Sequence, residues 1–182
     1  MTRRYFSKDL LADCEEGEVQ TDASPWGIGG TLTVAGVIRE YFFDCLHPED
    51  IRRFGYAVGD CAGQQCWESL SIMVALRLWG PALQAMIYSL KVKSDSVGTL
   101  VMVIRMKASG EGTGLISVEL ALDIADSLHE PQVGEHIPGV ANVLADYLSR
   151  LDAYADAPVP HPLRQVRWRD VPVRDRSWRR TV

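Results

Sequence analysis

The sequence lacks the marks of an exported or membrane-bound chain. Met1 to Phe6 runs into Ser7-Lys8-Asp9 and not into an apolar stretch, so no signal peptide is expected. Residues 70–90 are long and apolar, but Arg77, Gln84 and the Gly80-Pro81 pair argue against a membrane span. The four cysteines (14, 45, 61 and 66) form no Cys-x-x-Cys pair, and no His lies at finger spacing from them. That pattern speaks for reduced thiols in an intracellular protein, cytoplasmic or nuclear, and against a zinc site. A dinucleotide loop is missing too: Gly27-Ile28-Gly29-Gly30 leads into a strand, whereas that motif needs a helix.

Basic charge is scarce in most of the chain. The formal charge of −5 conceals a basic end, for residues 151–182 hold seven Arg against four Asp, a net of +3. Residues 1–150 are left with 12 basic and 20 acidic side chains, a net of −8. A nucleic-acid binder normally neutralises phosphates with Lys and Arg, so an acidic body opposes tight binding unless part of the charge is a carboxylate cluster that holds cations. The apolar fraction of 47% is ample for a core, and 182 residues suit one domain with a tail.

Three parts are expected: a polar lead-in over 1–16, a domain over 17–151 and a disordered tail over 152–182. The tail is rich in Pro and Arg without periodicity, and its removal is expected to leave stability unchanged. Within the domain, Glu18 to Ser24 alternates as a strand, with Asp22 and Ser24 on the side opposite Val19, Thr21 and Ala23. Ile28–Val34 and Val37–Phe43, joined at Ala35-Gly36, continue it as an antiparallel meander. The glycines at 27, 29 and 30 permit close backbone approach, either within the sheet or to a ligand. Gln64–Leu83 is apolar nearly all round and reads as a helix buried between layers; Glu68 within it suits the helix dipole. Met86–Ser94 is a fourth strand ending at Asp95, and Val97–Met106 reads as a helix. Residues 108–114 (ASGEGTG) read as a flexible break, followed by a helix over Leu115–Leu128. Glu119, Asp123 and Asp126 on that last helix read as a solvated stripe. A fifth strand spans Pro131–Ile137.

The most informative stretch is HIPGVANVLADYLSRL (136–151). Pro138-Gly139 breaks the preceding strand, and Val140, Leu144, Tyr147, Leu148 and Leu151 then define one apolar helical face. Asn142 and Asp146 lie four apart on another face. Taken alone, Asp146 reads as a solvated carboxylate paired with Arg150 one turn on.

His-Ile-Pro-Gly, then Asn, then Ala-Asp and Leu-Ser-Arg resembles the C-terminal signature of the ribonuclease H domain of gypsy-type and related retroelement reverse transcriptases. VQTDASPWGIGGTL (19–32) is similar to the first-strand motif of that family, CWESLSIMVALRLW (66–79) to its central helix and LKVKSDSVGTL (90–100) to its fourth strand. The resemblance covers residues 18–151. It implies an α/β ribonuclease H-like fold, a five-stranded mixed sheet of three antiparallel and two added strands, flanked by helices.

The same resemblance implies that Asp22, Glu68, Asp95 and Asp146 hold two Mg²⁺ ions, with Mn²⁺ able to substitute. Hydrolysis of a phosphodiester puts charge on the attacking and leaving oxygens and on the phosphorus group, which a pair of ions roughly 3.5–4 Å apart stabilises. By resemblance, Asp22 bridges both ions, Asp146 helps hold the one that activates water, and Glu68 and Asp95 hold the other, with Glu68 near the ribose 2′-hydroxyl. His136 stands where cellular members carry a proton-shuttling histidine, and a structural role at a strand end is the alternative reading. Ser24, Ser96 and Asn142 would contact substrate. The implied activity is endonucleolytic cleavage of RNA in RNA–DNA hybrids, with an attached or associated polymerase domain as partner. The basic element that stronger hybrid binders of the family carry between the second and third helices is absent: nothing basic follows Lys107 in that region. The rival expectation is a non-catalytic scaffold of the same fold that binds nucleic acid or protein.

Overall fold

The computed structural model describes residues 15–126, 131–153 and 157–181. Most of the expected lead-in lies outside this range, and Glu15 and Glu16 already belong to the first strand. β1 (Glu15–Ala23), β2 (Gly27–Val34) and β3 (Val37–Cys45) form the antiparallel meander. Ala35 and Gly36 join β2 to β3 with φ of 50° and 77°, the left-handed pair that a two-residue hairpin requires. After α1 (Pro48–Phe54) comes the long central helix α2 (Gln64–Met86), then β4 (Ile87–Ser94), α3 (Val97–Arg105), α4 (Glu111–Ala125), β5 (Val133–His136) and α5 (Val143–Ser149).

The five expected strands are all present, and a sixth, β6 (Arg167–Trp168), is added by the C-terminal segment. The sheet order is β5-β4-β1-β2-β3-β6, with β4 parallel to both β1 and β5 and β6 parallel to β3. The mixed α/β architecture is therefore the expected one, widened at the β3 edge. The period-2 pattern sorts its two faces. Val19, Ala23, Ile28, Leu32 and Phe42 are buried in the large core that includes Trp67, Leu70, Met73 and Leu76 of α2. Tyr41 belongs to a second cluster with Leu148 and Leu151 and with Leu163 from the C-terminal segment.

Three local expectations are corrected. α4 begins at Glu111, so the second half of ASGEGTG is helical rather than a flexible break. A Cβ on Gly112 would come within 2.8 Å of Cys66 Sγ, so the glycine there lets α4 pack tightly on α2. The apolar face of the last helix excludes Val140, which is 90% exposed in the short 3-10 turn Gly139–Ala141. Third, of the acidic stripe only Asp126 is solvated. Glu119 and Asp123 are buried and bind Arg77 at 2.7 and 2.6 Å, and Arg180 pairs with Asp123 at 2.5 Å and with Asp126.

The expected disordered tail is corrected as well: residues 157–181 pack against the domain. Leu163 and Val171 are buried, and Arg174 is fully buried against Asp44, Asp50 and the Cys45 carbonyl. Trp178 lies under the Arg77 guanidinium at 4.2 Å, and the Arg180 and Thr181 amides donate to Glu119. Burial would raise the Glu119 carboxyl, but hydrogen bonds from Thr181, Arg180 and Arg77 bring it down to about 2. The segment has no periodicity because it is held by single anchors on a surface built by the domain, chiefly by placing its arginines on the acidic charge of the body.

Candidate functional site

Asp22 stands near the end of β1, opposite Gly29 of β2. A Cβ at Gly29 would come within 2.5 Å of the Leu148 Cβ, and one at Gly27 within 2.9 Å of the Ser149 carbonyl. In both contacts the close approach is that of a helix to the sheet, a partner that neither reading of the glycine run named. It lets α5 lie directly on the sheet and brings its residues onto Asp22.

Two side chains from this region fix the Asp22 carboxylate. Asn142 donates through Nδ2 to Asp22 Oδ1 at 3.3 Å and to the Thr21 carbonyl at 3.1 Å, while its own Oδ1 accepts from Gln20 at 2.7 Å. Ser149 Oγ lies 2.8 Å from Asp22 Oδ2 and 2.9 Å from the Asp146 carbonyl. The Ser149 contact was not anticipated, although Ser149 sits one helical turn beyond Asp146 in the signature stretch. Asn142 is fully buried and every polar atom of its amide is engaged, so it holds Asp22 and is out of reach of substrate. Ser24 is also fully buried: its Oγ donates to the Ser149 carbonyl at 2.6 Å and accepts the Gly27 amide at 3.1 Å. Of the three expected substrate contacts, only half-buried Ser96 faces an open cleft, where it also caps α3 by accepting the Thr99 amide at 3.4 Å.

Glu68 projects from α2 one turn after its start, and Asp95 follows the last residue of β4. One oxygen each of Asp22, Glu68 and Asp95 lie within 4.8 Å of one another. Glu68 Oε1 accepts from Gln64 at 2.9 Å, but Oε2 is buried without a hydrogen-bond partner. An uncompensated buried oxygen of this kind is expensive, and a cation beside it would satisfy it. Burial, reinforced by Asp95 and Asp146 and opposed by Ser149 and Arg150, raises the Asp22 pKa to about 7. Burial, followed by the charges of Asp22 and Asp95, raises Glu68 well above the usual carboxylate range. The donor set is all carboxylate oxygen, which suits a hard divalent ion such as Mg²⁺ or Mn²⁺. The residues present fit the group.

Asp146 sits half-buried at the edge of this cluster and outside the tight group of three. Its ion pair with Arg150 at 2.8 Å is the contact read from the helix spacing alone, and its charge also reaches Asp22. His136 is exposed at the end of β5, with Nε2 3.1 Å from the Asp95 carbonyl oxygen. Beside the acids opens a cleft of about 500 Å³ lined by Gln64, Gln65, Glu68, Asp95, Ser96 and Gly98. A second cleft of similar size lies beneath the C-terminal segment, but its Arg77, Asp123, Asp126 and Arg180 side chains are paired with each other.

Solved structures share this mixed sheet flanked by helices. A ribonuclease H1 from the halophilic archaeon Halobacterium salinarum superposes with a TM-score of 0.56 at 17% identity, over 78% of this chain and 99% of that one. The N-terminal ribonuclease H domain of a Mycobacterium tuberculosis protein gives 0.53 at 15% identity, over 79% and 99% of the two chains. A ribonuclease H1 isolated from compost by metagenomics gives 0.51 at 16% identity, over 75% and 92%. No protein-family model matches the chain, and no curated protein matches it in sequence. The chain has the ribonuclease H fold.

Proposed function

We propose that the chain is a metal-dependent ribonuclease H that cuts the RNA strand of RNA–DNA hybrids, derived from or part of a retroelement reverse transcriptase. The observation that carries this reading is the convergence of Asp22, Glu68 and Asp95 around an unpartnered Glu68 oxygen, on a fold shared with ribonucleases H. Asp146, one layer out, completes the four-carboxylate set. Two Mg²⁺ ions, when bound, would offset the charge that builds on phosphate and activate the attacking water. Asn142 and Ser149 orient both oxygens of Asp22 before any ligand arrives, so little reorganisation is needed on binding. Arg150 balances Asp146 until substrate and cations compete for it. Hydrolysis would leave a 5′-phosphate and a 3′-hydroxyl. The retroelement origin rests on the stretch His136–Arg150, and an attached polymerase domain would supply the hybrid grip that an acidic body lacks.

The decisive experiment is cleavage of an end-labelled hybrid with Mg²⁺ or Mn²⁺ beside the Asp22→Asn variant. Hybrid bound but uncut by the parent protein would point to the scaffold reading instead.

Two further results are expected. Ser149→Ala should weaken Mn²⁺ binding about 10–100-fold, since it removes a hydrogen bond that favours the ionised form of Asp22. Mn²⁺ titration followed by calorimetry measures this, and unchanged affinity would remove Ser149 from the site. His136→Ala should lower single-turnover cleavage by about 10²-fold or less while leaving the melting temperature near that of the parent. The ring is exposed and makes one hydrogen bond, so it adds little to stability. Unchanged turnover of the folded protein would reduce His136 to a strand-end residue.

A further inference from the structure

The strongest feature outside the carboxylate cluster lies where β3 hands over to α1. Asp44 and Cys45 end the strand, His47 precedes the helix, and one ligand atom of each falls within 4.8 Å of the others. His47 Nε2 stands 3.1 Å from Asp44 Oδ2 and 3.2 Å from Oδ1. Asp152 approaches from the 3-10 turn Leu151–Ala153 that follows α5, close enough for its charge to act on Cys45 and to feel both Asp44 and His47.

We propose that Asp44, Cys45 and His47 form a second metal site for a borderline divalent cation of the zinc class. The set offers one sulfur, one imidazole nitrogen and carboxylate oxygens, which Zn²⁺ takes in tetrahedral geometry. Zn–N and Zn–O bonds of ~2.0–2.1 Å place tetrahedral ligands ~3.3 Å apart, so the observed His47–Asp44 separation is already near that of two ligands on one ion. The sequence pattern did not point here, because Asp44-Cys45-x-His47 matches no finger spacing.

The charges around the site also favour a cation. Arg174 pairs with Asp44, but its charge is shared with Asp50, with Nε at 3.0 Å and Nη2 at 2.8 Å from Oδ2. The sulfur is exposed, while partial burial and then Asp44 and Asp152 raise the Cys45 thiol above its ordinary value. A bound dication reverses that electrostatic balance: Zn²⁺ accepts the sulfur lone pair, and the thiol proton leaves to buffer. Three protein ligands would leave the fourth position to water. The ion would tie the end of β3 to the start of α1.

The test is titration of the chelator-treated full chain with Co²⁺ under reducing conditions, followed by absorption. The expected result is a thiolate-to-cobalt charge-transfer band that saturates at one equivalent and is bleached by Zn²⁺. Cys45→Ser should abolish the band, whereas Cys61→Ser and Asp22→Asn should keep it. His47→Ala should weaken its apparent affinity roughly 10-fold or more. Zn²⁺ should also raise the melting temperature of the parent but not of Cys45→Ser. The absence of a charge-transfer band, its persistence in Cys45→Ser, or an unchanged titration in His47→Ala would overturn the assignment. The all-oxygen cluster at Asp22, Glu68 and Asp95 cannot produce such a band, so this outcome is independent of whether the protein cleaves hybrids.

Discussion

Asp22→Asn is expected to reduce hybrid cleavage by about 10³-fold or more while leaving the fold intact or more stable. Shared stabilisation of phosphoryl charge is worth several kcal/mol, at ~1.4 kcal/mol per tenfold in rate. The amide keeps the shape of the carboxylate and most contacts with Asn142 and Ser149. The stability effect has a definite pH dependence. Asp22 moves from an ordinary value of 3.8 to about 7 in the folded chain, chiefly through burial and then the neighbouring Asp95 and Asp146 charges. A raised folded pKa contributes stability that is fully present below the unfolded value and is lost as pH rises through the folded one. In chelator, the parent should therefore lose stability relative to Asp22→Asn between pH about 4 and about 7, and the gap should level off above that. Thermal melting of both proteins across this range checks the sign. A variant that melts lower than the parent at neutral pH without metal, or one that cuts as fast with metal, would remove Asp22 from the centre of the site.

The second large effect belongs to the C-terminal segment. Arg174→Ala should cost about 3–5 kcal/mol, because it leaves Asp50 buried without its cation and strips a partner from Asp44. At a typical urea slope of about 2 kcal/mol per molar, the unfolding midpoint would fall by ~2 M. Truncation after Leu151 should cost at least as much, since it also removes Leu163, Val171 and the partners of Glu119. An unfolding midpoint unchanged in both variants would restore the view of this segment as dispensable.

The sequence by itself determined most of the strand and helix order, and it did so through local pattern. Alternation marked β1, and apolar residues on nearly every side marked α2 as a helix buried in the core. Resemblance to three short family motifs named the acids at 22, 68 and 95 that the fold gathers within 4.8 Å. Hairpin chemistry at Ala35-Gly36 and the spacing of Asp146 and Arg150 were equally local, and both are found as read.

What the pattern could not carry were contacts whose partners lie far apart in the chain. Ser24 and Asn142 look like polar site residues in sequence, yet each is buried by an element more than one hundred residues away. Glu119 and Asp123 look solvated on their own helix and are buried only because Arg77 and the C-terminal segment close over them. That segment has no period to read, since it binds through single arginines and isolated apolar anchors instead of a continuous face. Local pattern specifies which elements form because each element's face must match the core; pairing of buried charge depends on which surfaces meet, and only the tertiary structure decides that.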